Sequence, residues 1–185
     1  MNAFLDSIGY GHWILHALLV IPLLGVPAIF LVPARNARWV ALVVAMVELV
    51  VGLGLWWAFD PANPGLQFVT DIPWIGGFGI GYRVGIDGIS LMMVLLSVLT
   101  MPLVVWGSWS AIDQKQRGFY ILLLALKTGM LGVFISLDLF LFYMFWELLL
   151  IPMYFVIGMW GIGSTCSLAI LGTSRSRSRK GKTSE

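Results

Sequence analysis

The chain has 185 residues, 59% of them hydrophobic and 11% charged, with a mean hydropathy of +0.94; soluble domains hold about 45–50% apolar and about 25% charged residues, so an ordinary water-soluble enzyme is excluded. The net charge of +2 comes from a short basic tail rather than a folded basic face, which speaks against nucleic acid as a partner. A single cysteine, Cys166, leaves no intramolecular disulfide and no Cys-rich metal site, and Gly-rich phosphate-binding motifs are absent.

Apolar runs long enough to cross a bilayer occur at residues 12–32, 39–59, 89–109, 119–137 and 139–160. The fold class expected is therefore an all-α membrane protein of about five spans. The first run has no basic region before it and no small-residue cleavage signal after it, so a retained helix is expected. Pro22, Pro27 and Pro102 read as kinks at packed interfaces. The last two runs meet at Asp138; one continuous helix there would be about twice the hydrocarbon thickness, so the chain turns back. Between the second and third spans, residues 60–88 open on Pro61, Asn63, Pro64 and Gly65. Two short extended runs, Leu66 to Ile72 and Gly79 to Ile86, then flank Gly76-Gly77, which predicts a β-hairpin-like loop. It serves either as a lid over the helix ends or as a contact between subunits.

Basic residues set the direction. Arg35, Arg38, Lys115, Arg117 and five tail residues from Arg175 to Lys182 fall on one side, and Arg83 alone on the other. By the positive-inside rule the amino terminus and the hairpin face out and the tail faces the cytoplasm. Trp13, Trp39, Trp56, Trp57, Trp109 and Trp160 are among the tryptophans near span ends, where an amphipathic ring prefers the headgroup zone.

Three charged side chains fall well inside the spans: Glu48, Lys127 and Glu147. Each charge in hydrocarbon costs about 2.5–3.5 kcal/mol on the insertion scale, so each must face protein, water or a counter-charge and is a functional candidate. At 1.5 Å rise per residue all three lie roughly 12–16 Å below the outer ends of their spans, near one level. Glu147 carries the most detail. Tyr143, Glu147 and Tyr154 share one face of the fifth span with Gly158, and Pro152 frees the carbonyl of Leu148 beside the acid. Such a carboxyl serves either in a proton path or as a satisfied interhelical hydrogen-bonding group. Lys127 pairs with Glu147 or snorkels inward. Glu48 has only Val44, Ala45, Val51 and Gly52 at helical spacing, and reads as a lipid-side residue or a contact to another chain. His12 and His16 share a face, but no acid or thiol completes a metal site, and none is expected.

The segments Tyr82-Arg83-Val84-Gly85-Ile86-Asp87-Gly88-Ile89-Ser90-Leu91, Gly129 to Phe134, Leu137-Asp138-Leu139-Phe140-Leu141-Phe142-Tyr143-Met144-Phe145-Trp146-Glu147 and Ile151-Pro152-Met153-Tyr154-Phe155 resemble the chain M family of bacterial proton-pumping NADH-quinone oxidoreductase (complex I), the equivalent of mitochondrial NADH dehydrogenase subunit 4. The resemblance covers residues 1–161. It implies an antiporter-like subunit in the membrane arm of complex I, multi-pass in the bacterial inner (plasma) membrane. Such a subunit contributes to proton translocation coupled to NADH oxidation and quinone reduction, while quinone and NADH are handled by other subunits. Its partners would be the other membrane-arm subunits and the lipid bilayer, with no nucleic acid and no cofactor in this chain. Glu147 takes the proton-transfer role of the family's Phe-Trp-Glu glutamate, whose lysine partner stands on a later helix. The loop around Tyr82 to Ser90 resembles the outer hairpin that couples neighbouring subunits.

Departures accompany the likeness. Family members have fourteen spans, which marks this sequence as a truncated antiporter-like fold. Residues 162–185, with their Ser/Arg alternation, form a non-family tail expected to be disordered, the product of a frameshift or a shortened gene model. Lys127 stands where relatives commonly carry an acid or an amide. The competing expectations are a non-conducting fragment with at most an assembly role, and a subunit of a related cation/proton antiporter or membrane-bound hydrogenase.

Overall fold

Hydrocarbon offers the backbone no hydrogen-bonding partner, so an apolar run satisfies its amides internally by coiling into helix. The computed structural model describes residues 10–63, 65–75, 80–109, 112 and 115–160, with the backbone alone for 10–12 and 75. Its five long helices are α1 (Tyr10–Leu31), α2 (Ala37–Ala58), α3 (Gly88–Gly107), α4 (Gln116–Ile135) and α5 (Leu139–Trp160). All five are long and apolar enough to cross a membrane. The chain is a multi-pass membrane protein. Helix bounds sit within about three residues of the apolar runs, the usual uncertainty of helix ends. The expected tail at 162–185 and the Gly76-Gly77 turn lie outside the described residues.

A 3-10 turn, Ala34–Asn36, joins α1 to α2. Strands β1 (Gln67–Ile75) and β2 (Ile80–Ile86) pair antiparallel, as the sequence predicts, with Thr70 opposite Val84 and Ile72 opposite Tyr82. The register is irregular between Gln67 and Thr70, where Phe68 takes a positive φ of 56°. Asp87 follows β2 directly and caps α3, its Oδ1 accepting from the Ser90 amide at 2.7 Å. That hydrogen bond holds the Asp87 carboxyl below the usual carboxylate range.

The hairpin is tied to the α4–α5 connection: the Leu137 amide donates to the Arg83 carbonyl at 2.9 Å, and Val84 bridges to Ser136. Hairpin and α4–α5 turn therefore share one end of the bundle. At the opposite end Arg117 donates to the Val32 carbonyl and the Arg38 guanidinium lies 4.6 Å over the Trp109 ring.

Helix α4 is the centre of the bundle, packing against α1, α2, α3 and α5, and about half of it is buried. Helix α5 leans chiefly on α4 and keeps most of its surface open. The core divides into two apolar clusters. One, toward the hairpin, includes Ile14, Leu55, Ile86, Val98 and Leu131; the other includes Ile29, Ala41, Ala45, Val105 and Leu124.

Candidate functional site

Where the two clusters meet, α2 and α4 present a charge to each other. Along α2, Glu48 lies between Ala45 of one cluster and Leu55 of the other; along α4, Lys127 lies between Leu124 and Leu131. Lys127 Nζ stands 3.9 Å from Glu48 Oε1, with side-chain exposures of 4% and 0%. Counting from Ala58 and Ile135, the two charges lie about 15 Å and about 12 Å from the hairpin end, near mid-membrane. Gly52 lets α2 approach α3 closely: a Cβ there would stand 2.8 Å from Val98 Cγ2.

This placement corrects two expectations. Glu48 is not a lipid-side residue, and Lys127 pairs with Glu48 rather than with Glu147. Residues at helical spacing along α2 give no hint of a partner because the partner comes from another helix. Depth along a span was readable, but the direction in which each side chain leaves its helix was not.

The pair is close but not joined. Charge-assisted N–H···O hydrogen bonds are about 2.7–2.9 Å long, and neither Glu48 oxygen nor Lys127 Nζ makes a hydrogen bond to protein. Beside it a cavity of about 300 Å³ opens between α3 and α4, with Lys127, Ser97, Thr100 and Met130 in its wall. The Ser97 hydroxyl donates to Met130 Sδ at 3.3 Å and the Thr100 hydroxyl to the Leu96 carbonyl at 2.7 Å, leaving oxygen lone pairs to accept. Sequence reading passed over both hydroxyls. Their signal was their rarity in the middle of an apolar span.

Glu147 stands elsewhere. Helix α5 turns Phe145, Leu149 and Pro152 toward α4, where Gly129 and Gly132 make room for the first two. Glu147 lies on the opposite face, exposed, with Tyr143 one turn before it on the same face and Tyr154 at 75% exposure. The polar stripe expected on this helix thus exists as one face, and it points away from the bundle. Its depth, eight residues from Leu139, is about 12 Å.

The remaining expectations fall as follows. No group of three or more His, Cys, Asp or Glu side chains gathers among the described residues, and the His12 side chain and Cys166 lie outside them. His16 instead packs its ring 5.6 Å from that of Tyr82 in the hairpin, and burial pushes the Tyr82 hydroxyl up from its ordinary value. Asp71 and Arg83 form an exposed ion pair at 3.0 Å across the strands.

No protein-family model matches the chain. It is 47% identical over 127 residues to NADH-quinone oxidoreductase subunit M of Rhodobacter capsulatus, covering 69% of this chain and 24% of that protein. With subunit M of Escherichia coli K12 the identity is 41% over 130 residues, 67% of this chain and 26% of the relative. Among solved structures it is similar to a chain of respiratory complex I from Thermus thermophilus with bound NADH: TM-score 0.63, 25% identity, 78% of this chain and 29% of that one. The chain spans about a quarter of the length of the curated relatives it matches. Over the shared residues, this membrane chain is a partial homologue within the subunit M/chain 4 family of NADH-quinone oxidoreductase membrane subunits.

Proposed function

We propose that the chain works in the membrane arm of an NADH-quinone oxidoreductase, contributing to proton translocation coupled to NADH oxidation and quinone reduction in other subunits. One observation carries this reading: Glu147 sits at membrane depth on the open face of α5, with Tyr143 and Tyr154 beside it. An ionisable group cannot be left against lipid without a large cost, so that face is completed by protein or by a water-filled path. In this role Glu147 accepts and releases a proton, and the cation facing it comes from a segment packed on α5. The chain itself carries no flavin, iron–sulfur cluster or nucleotide. It lies in the bacterial plasma membrane with the hairpin outside and the Arg35 and Arg117 end in the cytoplasm, as the positive-inside rule favours. Its partners are the neighbouring membrane-arm subunits, one of which the hairpin contacts.

Replacing Glu147 by Gln in the assembled enzyme tests this. Protons moved per NADH oxidised in inverted membrane vesicles should fall severalfold; unaltered pumping at full assembly would overturn the reading.

A second reading, an assembly piece that does not conduct, is favoured by one feature. Glu147 and the Glu48–Lys127 pair sit on opposite sides of the α4–α5 contact, so the described residues contain no continuous line of ionisable groups. Native gel electrophoresis separates the readings, because co-migration of the 185-residue product with active enzyme contradicts the second.

A further inference from the structure

We propose that Glu48, Lys127 and the cavity walled by Lys127, Ser97 and Thr100 form a buried proton-exchange site of their own, distinct from the Glu147 face. The inference rests on the proton-translocation reading and adds a second place where a proton is held.

The geometry is not that of a structural clamp. A clamp gains its strength from short, multiple hydrogen bonds that replace lost hydration. Here the charges stand 3.9 Å apart, and the two carboxylate oxygens and the ammonium nitrogen make no hydrogen bond to protein. A polar contact longer than about 3.5 Å leaves room for a bridging water. The cavity brings the nearly buried Ser97 hydroxyl, which offers acceptor lone pairs, into the same wall as Lys127, with Thr100 at its exposed mouth; a water there would have these polar partners.

Among the described residues no other charged side chain competes for the pair. Helix α3 has no ionisable residue, the remaining charge of α2, Arg38, is at the Trp109 end, and that of α4, Arg117, binds the Val32 carbonyl. On α1 the histidines lie near the hairpin end, and on α5 Glu147 faces away.

The exchange is balanced within the pair. An N–H bond of the Lys127 ammonium breaks, a water passes one proton on as it receives another, and an O–H bond forms on a Glu48 oxygen. The ion pair becomes an amine and a carboxylic acid. Net charge is zero in both states, so the step needs no counter-ion, and taking charge out of water narrows the gap between the two states.

Lys127→Arg is the discriminating variant. Arginine keeps the cation and its attraction to Glu48 but holds its proton at every accessible pH. In the assembled enzyme in inverted vesicles, protons moved per NADH oxidised should fall severalfold while NADH oxidation persists. Full pumping by assembled Lys127→Arg enzyme would show a structural ion pair and overturn the proposal. Should that variant not assemble, the neutral double variant Glu48→Gln/Lys127→Met decides. Lowered pumping supports exchange, unaltered pumping refutes it, and failure of both variants to assemble refutes it in favour of a structural pair. Glu147→Gln run in parallel separates the two levels of inference. If it lowers pumping and Lys127→Arg does not, only this site fails; if it too leaves pumping intact, the functional reading itself fails.

Discussion

Gly132 of α4 lies directly beneath the ring of Phe145 of α5, so close that a Cβ on Gly132 would overlap three ring carbons. One turn away Gly129 meets the backbone of Leu149 in the same manner, at 3.2 Å from a built Cβ. In lipid, helices gain nothing by hiding apolar surface from each other, so close packing over small residues is what joins them. These two glycines are what fixes α5 to α4, and they set which face of α5, the Glu147 face, is left open.

Gly132→Val should therefore loosen that contact. The isopropyl group displaces the Phe145 ring, an overpacking error that costs about 1–3 kcal/mol. An unfolding titration in mixed detergent micelles should show a lower midpoint for Gly132→Val than for wild type. Gly118→Val, whose Cβ would meet only the Trp160 ring at 3.6 Å, an ordinary contact, should change much less. Equal midpoints for all three proteins would mean that α5 is not held through this seam.

Removing one member of the Glu48–Lys127 pair should harm stability more than removing both. Glu48→Leu leaves the Lys127 ammonium buried with no counter-charge, at a cost of about 3–5 kcal/mol. The double variant Glu48→Leu/Lys127→Met replaces two charges by apolar groups of similar length and should recover most of the loss. The same micelle titration, run as a double-mutant cycle, measures the coupling. Additive losses would show that the two side chains act independently.

The contrast between these two contacts explains what the sequence revealed. Span positions were legible because the bilayer imposes a length and a composition on each helix, and the hairpin because Pro, Asn and Gly punctuate its flanks. The depth of Glu48, Lys127 and Glu147 was legible as well, since rise per residue is constant. Depth does not fix azimuth. Whether Lys127 turns to α2 or to α5 depends on how α4 is rotated against its neighbours. That rotation follows from Gly132 under Phe145 and from Leu124 over Gly25 of α1, contacts that the sequence of α4 does not contain. For the same reason the cavity wall of Ser97 and Thr100 could not be seen in α3 alone, and the Glu147 stripe showed that a polar face exists without showing that it points outward.

The start of α3 depends on Asp87. Its side chain accepts from the Ser90 amide, so Asp87→Ala should cost about 1 kcal/mol and Asp87→Asn, which keeps an accepting oxygen, much less. The same bond makes the cap sensitive to acid. Its folded-state carboxyl titrates below the unfolded value of about 3.9, so the stabilisation is complete above that pH and disappears as pH falls through the lower folded value. Wild type should lose stability in that acidic window relative to Asp87→Asn, and parallel pH profiles for the two proteins would contradict the assignment.

The proposed orientation rests on the two unlike ends of the bundle. At one, Arg38 covers Trp109 and Arg117 binds the Val32 carbonyl, with Arg35 exposed in the 3-10 turn. At the other, the one basic residue, Arg83, is paired with Asp71. An excess of Lys and Arg in short loops favours retention of that end in the cytoplasm. In a background with Cys166 changed to Ser, a membrane-impermeant maleimide should label Asp71→Cys in intact spheroplasts and Arg35→Cys only after lysis. Labelling in the reverse order would turn the bundle over and place the hairpin on the cytoplasmic side, away from any outer contact with a neighbouring subunit.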